Sequence, residues 1–120
     1  MTDLTDHIDQ AGVTYGQNKL ALMQKACRLQ RVPLDEANVD EWGATIDATL
    51  RVKLFDPCGS FTWYVQSWDG EDICFGYVQG FEGEWGSFSL KELAFTRGRL
   101  GIGIEIDTWF TPTQPEEIIK

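Results

Sequence analysis

The chain has 120 residues, of which 42% are apolar, and it contains five Trp and seven Phe. This length favours one domain with its own hydrophobic core, and the aromatic content excludes the class of intrinsically disordered chains. The 19 acidic and 10 basic residues give a net charge of −9. That charge disfavours direct contact with nucleic acid or anionic lipid and permits a basic partner.

Three further features predict a cytoplasmic protein without membrane contact. The first six residues, Met1–Asp6, are acidic and lack the apolar segment of a signal peptide. No apolar run approaches the length of a membrane-spanning helix. Cys27, Cys58 and Cys74 show no Cys-x-x-Cys spacing, so we expect free thiols in a reducing compartment.

The first part of the chain, residues 1–47, has the pattern of helices. Apolar residues at helical spacing predict a first helix that stops at Gly12 and a second helix from about Gln17 to Gln30. The apolar stripe of the second helix consists of Leu20, Met23 and Cys27. Asp35 then stands where it would cap a short turn, and an acidic connector follows.

The second helix also carries a basic stripe, with no acidic residue between Asp9 and Asp35. The residues of this stripe are Lys19, Lys25, Arg28 and Arg31. One interpretation is a small face that binds phosphate or carboxylate. The other is a solvated face that offsets the acidic body of the protein.

From Ala48 the apolar pattern changes to a period of two, which predicts antiparallel strands. The predicted strands are 48–55, 61–68, 73–79, 84–88 and Glu105 to Phe110. A capping box at Ser89, with Glu92 three residues later, predicts the start of a helix. Residues 48–112 would form the sheet-based core, and 113–120 a short helix or tail. We therefore expect an α+β fold, in which a meander of about five strands is packed by the N-terminal helix and the helix that starts at Ser89.

Several stretches of the predicted core resemble the sequence pattern of a known protein family. They are Lys53–Pro57, Trp63–Val65, Phe75–Gly80, Glu82–Leu93, Arg97–Glu105 and Phe110–Pro112. In these stretches the chain resembles the DUF2958 family, small uncharacterised proteins carried by plasmids, conjugative elements and phages. The family tends to carry Arg-Asp after the position of Glu105, whereas this chain has Ile106–Asp107. The resemblance implies a mobile-element setting and implies no reaction.

Residues that carry catalysis are scarce. His7 is the only histidine, and the spacing of the cysteines fits neither a Cys-His pair nor a zinc site. Two carboxylate pairs remain: Glu82 and Glu84 flank a glycine, and Glu105 and Asp107 would share one face of a strand. A small metal-dependent hydrolase or nuclease that uses these four carboxylates is therefore one hypothesis.

The aromatic residues of the predicted strands suggest a different role. Acidic residues surround them, and aromatic side chains rimmed by carboxylates are typical of an interface with a basic protein. The simpler interpretation is that most of these aromatic residues belong to the core. The candidate partner-binding residues are Asp69, Glu71, Asp72, Glu82, Glu84, Trp85, Glu105 and Asp107.

These features favour a non-enzymatic binding protein of a mobile genetic element. We expect an anti-defence inhibitor, of the anti-CRISPR or anti-restriction kind, that blocks a nucleic-acid-binding surface of a host protein by DNA mimicry. Carboxylates would take the place of phosphates in that contact. Such a protein, a monomer or dimer, would use no cofactor, no metal and no catalytic residue. The alternatives are the metal-dependent hydrolase and a structural accessory subunit.

Overall fold

The computed structural model describes residues 4–97 and 101–119, with side chains from Gly12 onward. Within these ranges a five-stranded antiparallel sheet packs against helices, so the predicted α+β fold is confirmed. The helices are α1 (Leu4–Leu29), α2 (Leu90–Phe95) and α3 (Pro115–Ile118).

The strands are β1 (Val52–Phe55), β2 (Thr62–Trp68), β3 (Ile73–Gln79), β4 (Gly83–Ser89) and β5 (Glu105–Ile106). Their order in the sheet is β4-β3-β2-β1-β5, so the first four form the predicted meander and β5 adds to the free side of β1. The predicted last strand is wrong beyond Ile106. There the Asp107 carboxylate accepts the Trp109 N–H and the Asp107 carbonyl accepts the Phe110 N–H, and this turn ends the strand.

Helix α1 is continuous, so the predicted stop at Gly12 and restart at Gln17 are wrong. A glycine inside a helix costs about 1 kcal/mol relative to alanine, but it leaves the backbone hydrogen bonds intact. The helix ends where Arg31 adopts a left-handed φ of 57° and the Val32 N–H bonds to the Cys27 carbonyl at 2.9 Å.

Helices α1 and α2 cover one face of the sheet and bury the main core there. Met23 and Cys27 of α1 are fully buried in one cluster with Leu54 and Leu90. Full burial of such a side chain contributes about 1.5–3 kcal/mol. The thiol of Cys74 lies in the same cluster, and its contact with Cys27, together with burial, raises its pKa. This thiol therefore stays protonated.

The sheet needs a glycine at position 76. Strands β2 and β3 change register between Val65 and Ser67, as in a β-bulge. The bulge brings the Tyr64 carbonyl against Gly76, where a Cβ atom would overlap it. Only glycine admits so close an approach of two backbones.

The helix ends bear out two of three local predictions. The Ser89 hydroxyl accepts the Glu92 N–H at 3.1 Å and caps α2 as predicted. Pro115 occupies the first turn of α3, as its fixed φ favours. Asp35 is not a cap, because the short 3-10 helix Asp35–Ala37 begins at that residue and Leu34 precedes it without a side-chain cap.

Replacement of Gly76 by alanine should destabilise the fold by about 2 kcal/mol or more, because the new methyl group meets the Tyr64 backbone. Gly86→Ala, on the neighbouring strand, is the control, since a Cβ there meets nothing within 4 Å. Urea denaturation of both variants measures the difference. Equal stability of the two would contradict the close approach.

Candidate protein-binding surface

The sheet face opposite α1 and α2 carries a row of aromatic rings. Phe75 and Trp85 are stacked, with centroids 6.1 Å apart and planes 16° apart. Trp85 lies edge-on to Tyr77 at 5.4 Å, and Tyr77 is 6.5 Å from Tyr64. Phe110, which follows β5, completes the row at 5.7 Å from Tyr64. The rings therefore connect β4, β3 and β2 with the C-terminal segment.

One half of this row is covered by the chain itself and the other half is open. Phe110 and Ile118 pack over Tyr64 and Tyr77, which are both buried. Trp85 is 42% exposed and Phe75 is half-buried. We call Phe75 and Trp85 the aromatic shelf. It is the part of this face that a partner could reach.

A compact loop, residues 38–47, stands beside the shelf, and we call it the tryptophan loop. Its two ends are joined, because the side chain of buried Asn38 bonds to the backbone N–H and carbonyl of Asp47, both at 2.9 Å. The Ile46 N–H also donates to the Asn38 carbonyl at 2.9 Å. Trp42, near the middle of the loop, is 83% exposed.

Asp40 fixes the tip of the tryptophan loop. Its carboxylate accepts the N–H groups of Trp42 and Ala44, both at 2.9 Å. Gly43 supplies the positive φ of 81° that the turn requires. The loop thus holds an exposed tryptophan on an ordered backbone, which lowers the entropy cost of using that side chain as an anchor.

A groove of about 270 Å³ lies between the loop and the shelf. Val39, Gly43 and Thr45 line its loop side, and Ser67 and Phe75 line its sheet side. The loop and the shelf therefore form one continuous surface, with apolar and polar groups mixed as in protein interfaces.

Three exposed carboxylates occur in and next to this part of the chain. Asp35 lines the groove, Glu36 is its neighbour in the sequence, and Glu41 is the neighbour of Trp42. We call these three residues the acidic rim. Asp35, Glu36 and Glu41 take no part in the ion pairs found among residues 4–97 and 101–119. Their charges are thus available to an incoming cation.

The acids predicted at the β2–β3 turn are in part structural. The Asp69 carboxylate accepts the N–H groups of Asp72 and Glu71 at 2.7 and 2.8 Å, and these bonds lower its pKa. Asp72 accepts the Ser89 hydroxyl at 2.9 Å and the Lys91 N–H at 2.8 Å. These two carboxylates hold the turn and the start of α2, whereas Glu71 is exposed.

The remaining predicted acids lie elsewhere on the sheet. Glu82 and Glu84 are at the β3–β4 hairpin, at the opposite end of β3 from Asp69. Glu105 pairs with Lys19 at 3.6 Å. Asp107 pairs with Lys53 at 3.7 Å. Of the predicted binding residues, only Trp85 belongs to the aromatic shelf.

The four carboxylates of the hydrolase hypothesis do not meet. Glu84 lies on β4 and Glu105 on β5, which are the two outer strands of the sheet. Three strands separate them, a distance of roughly 19 Å at the usual strand spacing. Among the residues that the structure describes, no group of three or more His, Cys, Asp or Glu side chains could hold a metal ion.

Sequence reasoning missed Trp42 and Phe75 as surface residues. Phe75 alternates with buried neighbours, and its strand pattern alone does not tell which sheet face is covered. Trp42 lies in a loop without a periodic pattern.

In the basic stripe, Lys19 forms an ion pair with Glu105, whereas Lys25 and Arg28 are exposed. None of the helices within 4–97 and 101–119 is long and apolar enough to span a bilayer.

The stability of the fold should depend on the charge of Asp47, the last residue of the tryptophan loop. Its carboxylate accepts the Thr49 hydroxyl at 2.6 Å and an Arg51 N–H at 2.9 Å, and these bonds lower its pKa from 3.8 to about 2. The ionised carboxylate therefore stabilises the fold above pH 3.8, and this contribution is lost as the pH falls through about 2.

Asp47→Asn should lower the melting temperature at neutral pH and should flatten its decrease between pH 3.8 and about pH 2. Circular dichroism melts across this range measure both effects. Glu36→Gln, on the acidic rim, should keep the wild-type profile. An unchanged profile for Asp47→Asn would show that the ionised carboxylate does not stabilise the fold.

Comparison with known proteins identifies the family of this chain. No curated protein and no solved structure matches it significantly. Residues 22–117, which include the tryptophan loop and all five strands, match a family described as "Protein of unknown function (DUF2958)". The match covers well over half of the chain and agrees with the resemblance seen in the sequence. The protein belongs to the DUF2958 family.

Proposed function

We propose that this protein is a non-enzymatic acidic binding protein whose aromatic shelf and tryptophan loop dock on a basic protein surface. The observation that carries the proposal is the exposure of two tryptophans, 83% for Trp42 and 42% for Trp85, with the acidic rim next to Trp42 and the groove. Large aromatic residues in a binding surface contribute most of the affinity when they become buried. A tryptophan that is 83% exposed adds little to the hydrophobic core, so folding alone does not explain its position at the tip of the loop.

The charges supply selectivity for the partner. The acidic rim attracts a positive surface and repels acidic proteins and nucleic acid, so it raises the association rate with basic partners. The net charge of −9 extends this attraction over the whole molecule. Because such steering weakens once the Debye length falls below about 10 Å, binding should decrease at high salt.

A nucleic-acid-binding protein is the partner that this chemistry favours. Its basic surface normally accepts phosphates, and carboxylates beside aromatic rings can occupy the same surface as a DNA mimic. The protein would then act as an anti-defence inhibitor, of the anti-CRISPR or anti-restriction kind, in a mobile-element setting. The resemblance of the sequence to proteins of plasmids, conjugative elements and phages supports this setting.

The test is capture of partners from host lysate by the tagged protein, at low and at high salt. We expect a basic nucleic-acid-binding protein that is retained at low salt, lost at high salt and displaced by added duplex DNA. Capture should fall at least about tenfold for Trp42→Ala combined with Trp85→Ala, since each anchor is worth about 1–2 kcal/mol or more.

The control is Trp109→Ala. Trp109 is 92% exposed, but it lies in the turn after β5, which is at the opposite edge of the sheet from β4 and Trp85. This variant should capture the partner as the wild type does. Capture that survives both high salt and the loss of Trp42 and Trp85 would refute the proposal. Capture of no partner at either salt concentration would refute it too.

A further inference from the structure

Among the residues that the structure describes, strand β4 forms a free edge of the sheet. Its pairing with β3 shows which of its backbone groups have no partner in the sheet. The Leu90 N–H bonds to the Asp72 carbonyl at 3.0 Å, in register with the β3–β4 ladder. In an antiparallel ladder, hydrogen-bonded and non-hydrogen-bonded pairs alternate. Residues of β4 with even numbers therefore bond to β3. The N–H and C=O groups of Gly83, Trp85 and Ser87 point away from the sheet.

Apart from the charge of Glu84, β4 lacks the features that protect a sheet edge from pairing with another chain. Natural sheets protect free edges with lysine, proline, bulges or very short strands. The sequence from Gly83 to Ser89 contains neither lysine nor proline, and its seven residues pair with β3 without a register shift. By contrast, β5 at the other edge has two residues and ends in a turn. The edge at β4 is thus longer and less protected against strand pairing than the edge at β5.

The surroundings of β4 indicate what kind of strand would fit beside it. On one sheet face the side chain of Trp85 stacks on Phe75, so a neighbouring strand would place alternate side chains against the aromatic shelf. On the other face Glu84 is exposed, and a Cβ at Gly86 would meet nothing within 4 Å. Apolar residues would suit the first face, and basic residues would suit the second.

We propose that β4 binds an extended segment of the partner as a sixth strand, in which apolar residues that face the shelf alternate with basic residues that face Glu84. This inference rests on the proposed function, because it states how the basic partner docks. Main-chain hydrogen bonds to Trp85 and Ser87 would supply affinity, and the shelf would supply selectivity.

The first test uses the full chain and a synthetic peptide, four repeats of Val-Lys with blocked ends. The peptide should bind and should protect the amides of Trp85 and Ser87 from hydrogen exchange. Ser87→Pro removes an N–H that points to the free edge and leaves the β3 ladder intact, so it should weaken binding about tenfold. Ser87→Thr keeps that N–H and should bind within about twofold of the wild type.

A second arm leaves the protein unchanged and covers the case in which Ser87→Pro fails to fold. N-methylation of alternate peptide residues, on the strand edge that faces β4, should abolish binding, whereas methylation of the other set should not. Absence of peptide binding, protection away from β4, or equal binding of both methylated peptides would overturn the inference.

The same variants separate this inference from the proposed function. If Ser87→Pro still captures the host partner while Trp42→Ala with Trp85→Ala does not, strand addition is wrong and the binding surface stands. If the bait captures no partner at either salt concentration, the proposed function fails, whatever the peptide does.

Discussion

The packing of α1 and α2 on a single face of the sheet determines the rest of this structure. Met23 and Cys27 insert among Leu54 and Leu90 and exclude water from that face. When one face of a sheet is buried, the second face must be covered by other elements or remain exposed to solvent. In the described part of the chain, Phe110 and the helix α3 cover only part of that second face.

The partial cover divides a single row of aromatic rings into two kinds of residue. Tyr64 and Tyr77 lie under the C-terminal segment and contribute to stability. Phe75 and Trp85 continue the same row past the end of that cover, and Phe75 also lines the groove next to the tryptophan loop. The groove, the shelf and the free edge of β4 follow one another, because Phe75 of β3 lines the groove and also stacks on Trp85 of the edge strand β4. That proximity is the physical reason to treat them as one candidate binding surface.

Local signals in the sequence predicted much of the fold. The period-two pattern located β2, β3 and β4 within a residue or so, and the Ser89–Glu92 pair located the start of α2. Each depends on residues that are close in the chain. The predicted helix end at Gly12 was wrong, because an interior glycine weakens a helix without ending it when the turns on both sides continue.

The candidate site was less predictable, because it depends on contacts between distant parts of the chain. The order of the strands separates Glu84 from Glu105, although both occur in similar acidic motifs. The tryptophan loop owes its shape to the pairing of Asn38 with Asp47, which no periodicity reveals. Strand alternation shows that two sheet faces exist, but only the packing of α1 shows which one is open.

Hydrogen exchange of the captured complex, followed by mass spectrometry, tests the central claim most directly. If the open sheet face is the binding surface, the partner should slow exchange in the tryptophan loop and in β4. It should leave exchange unchanged on the exposed side of α1 around Lys25 and Arg28. Protection confined to α1, with no change in residues 38–47 and 83–89, would show that the basic stripe binds the partner and that the open sheet face does not.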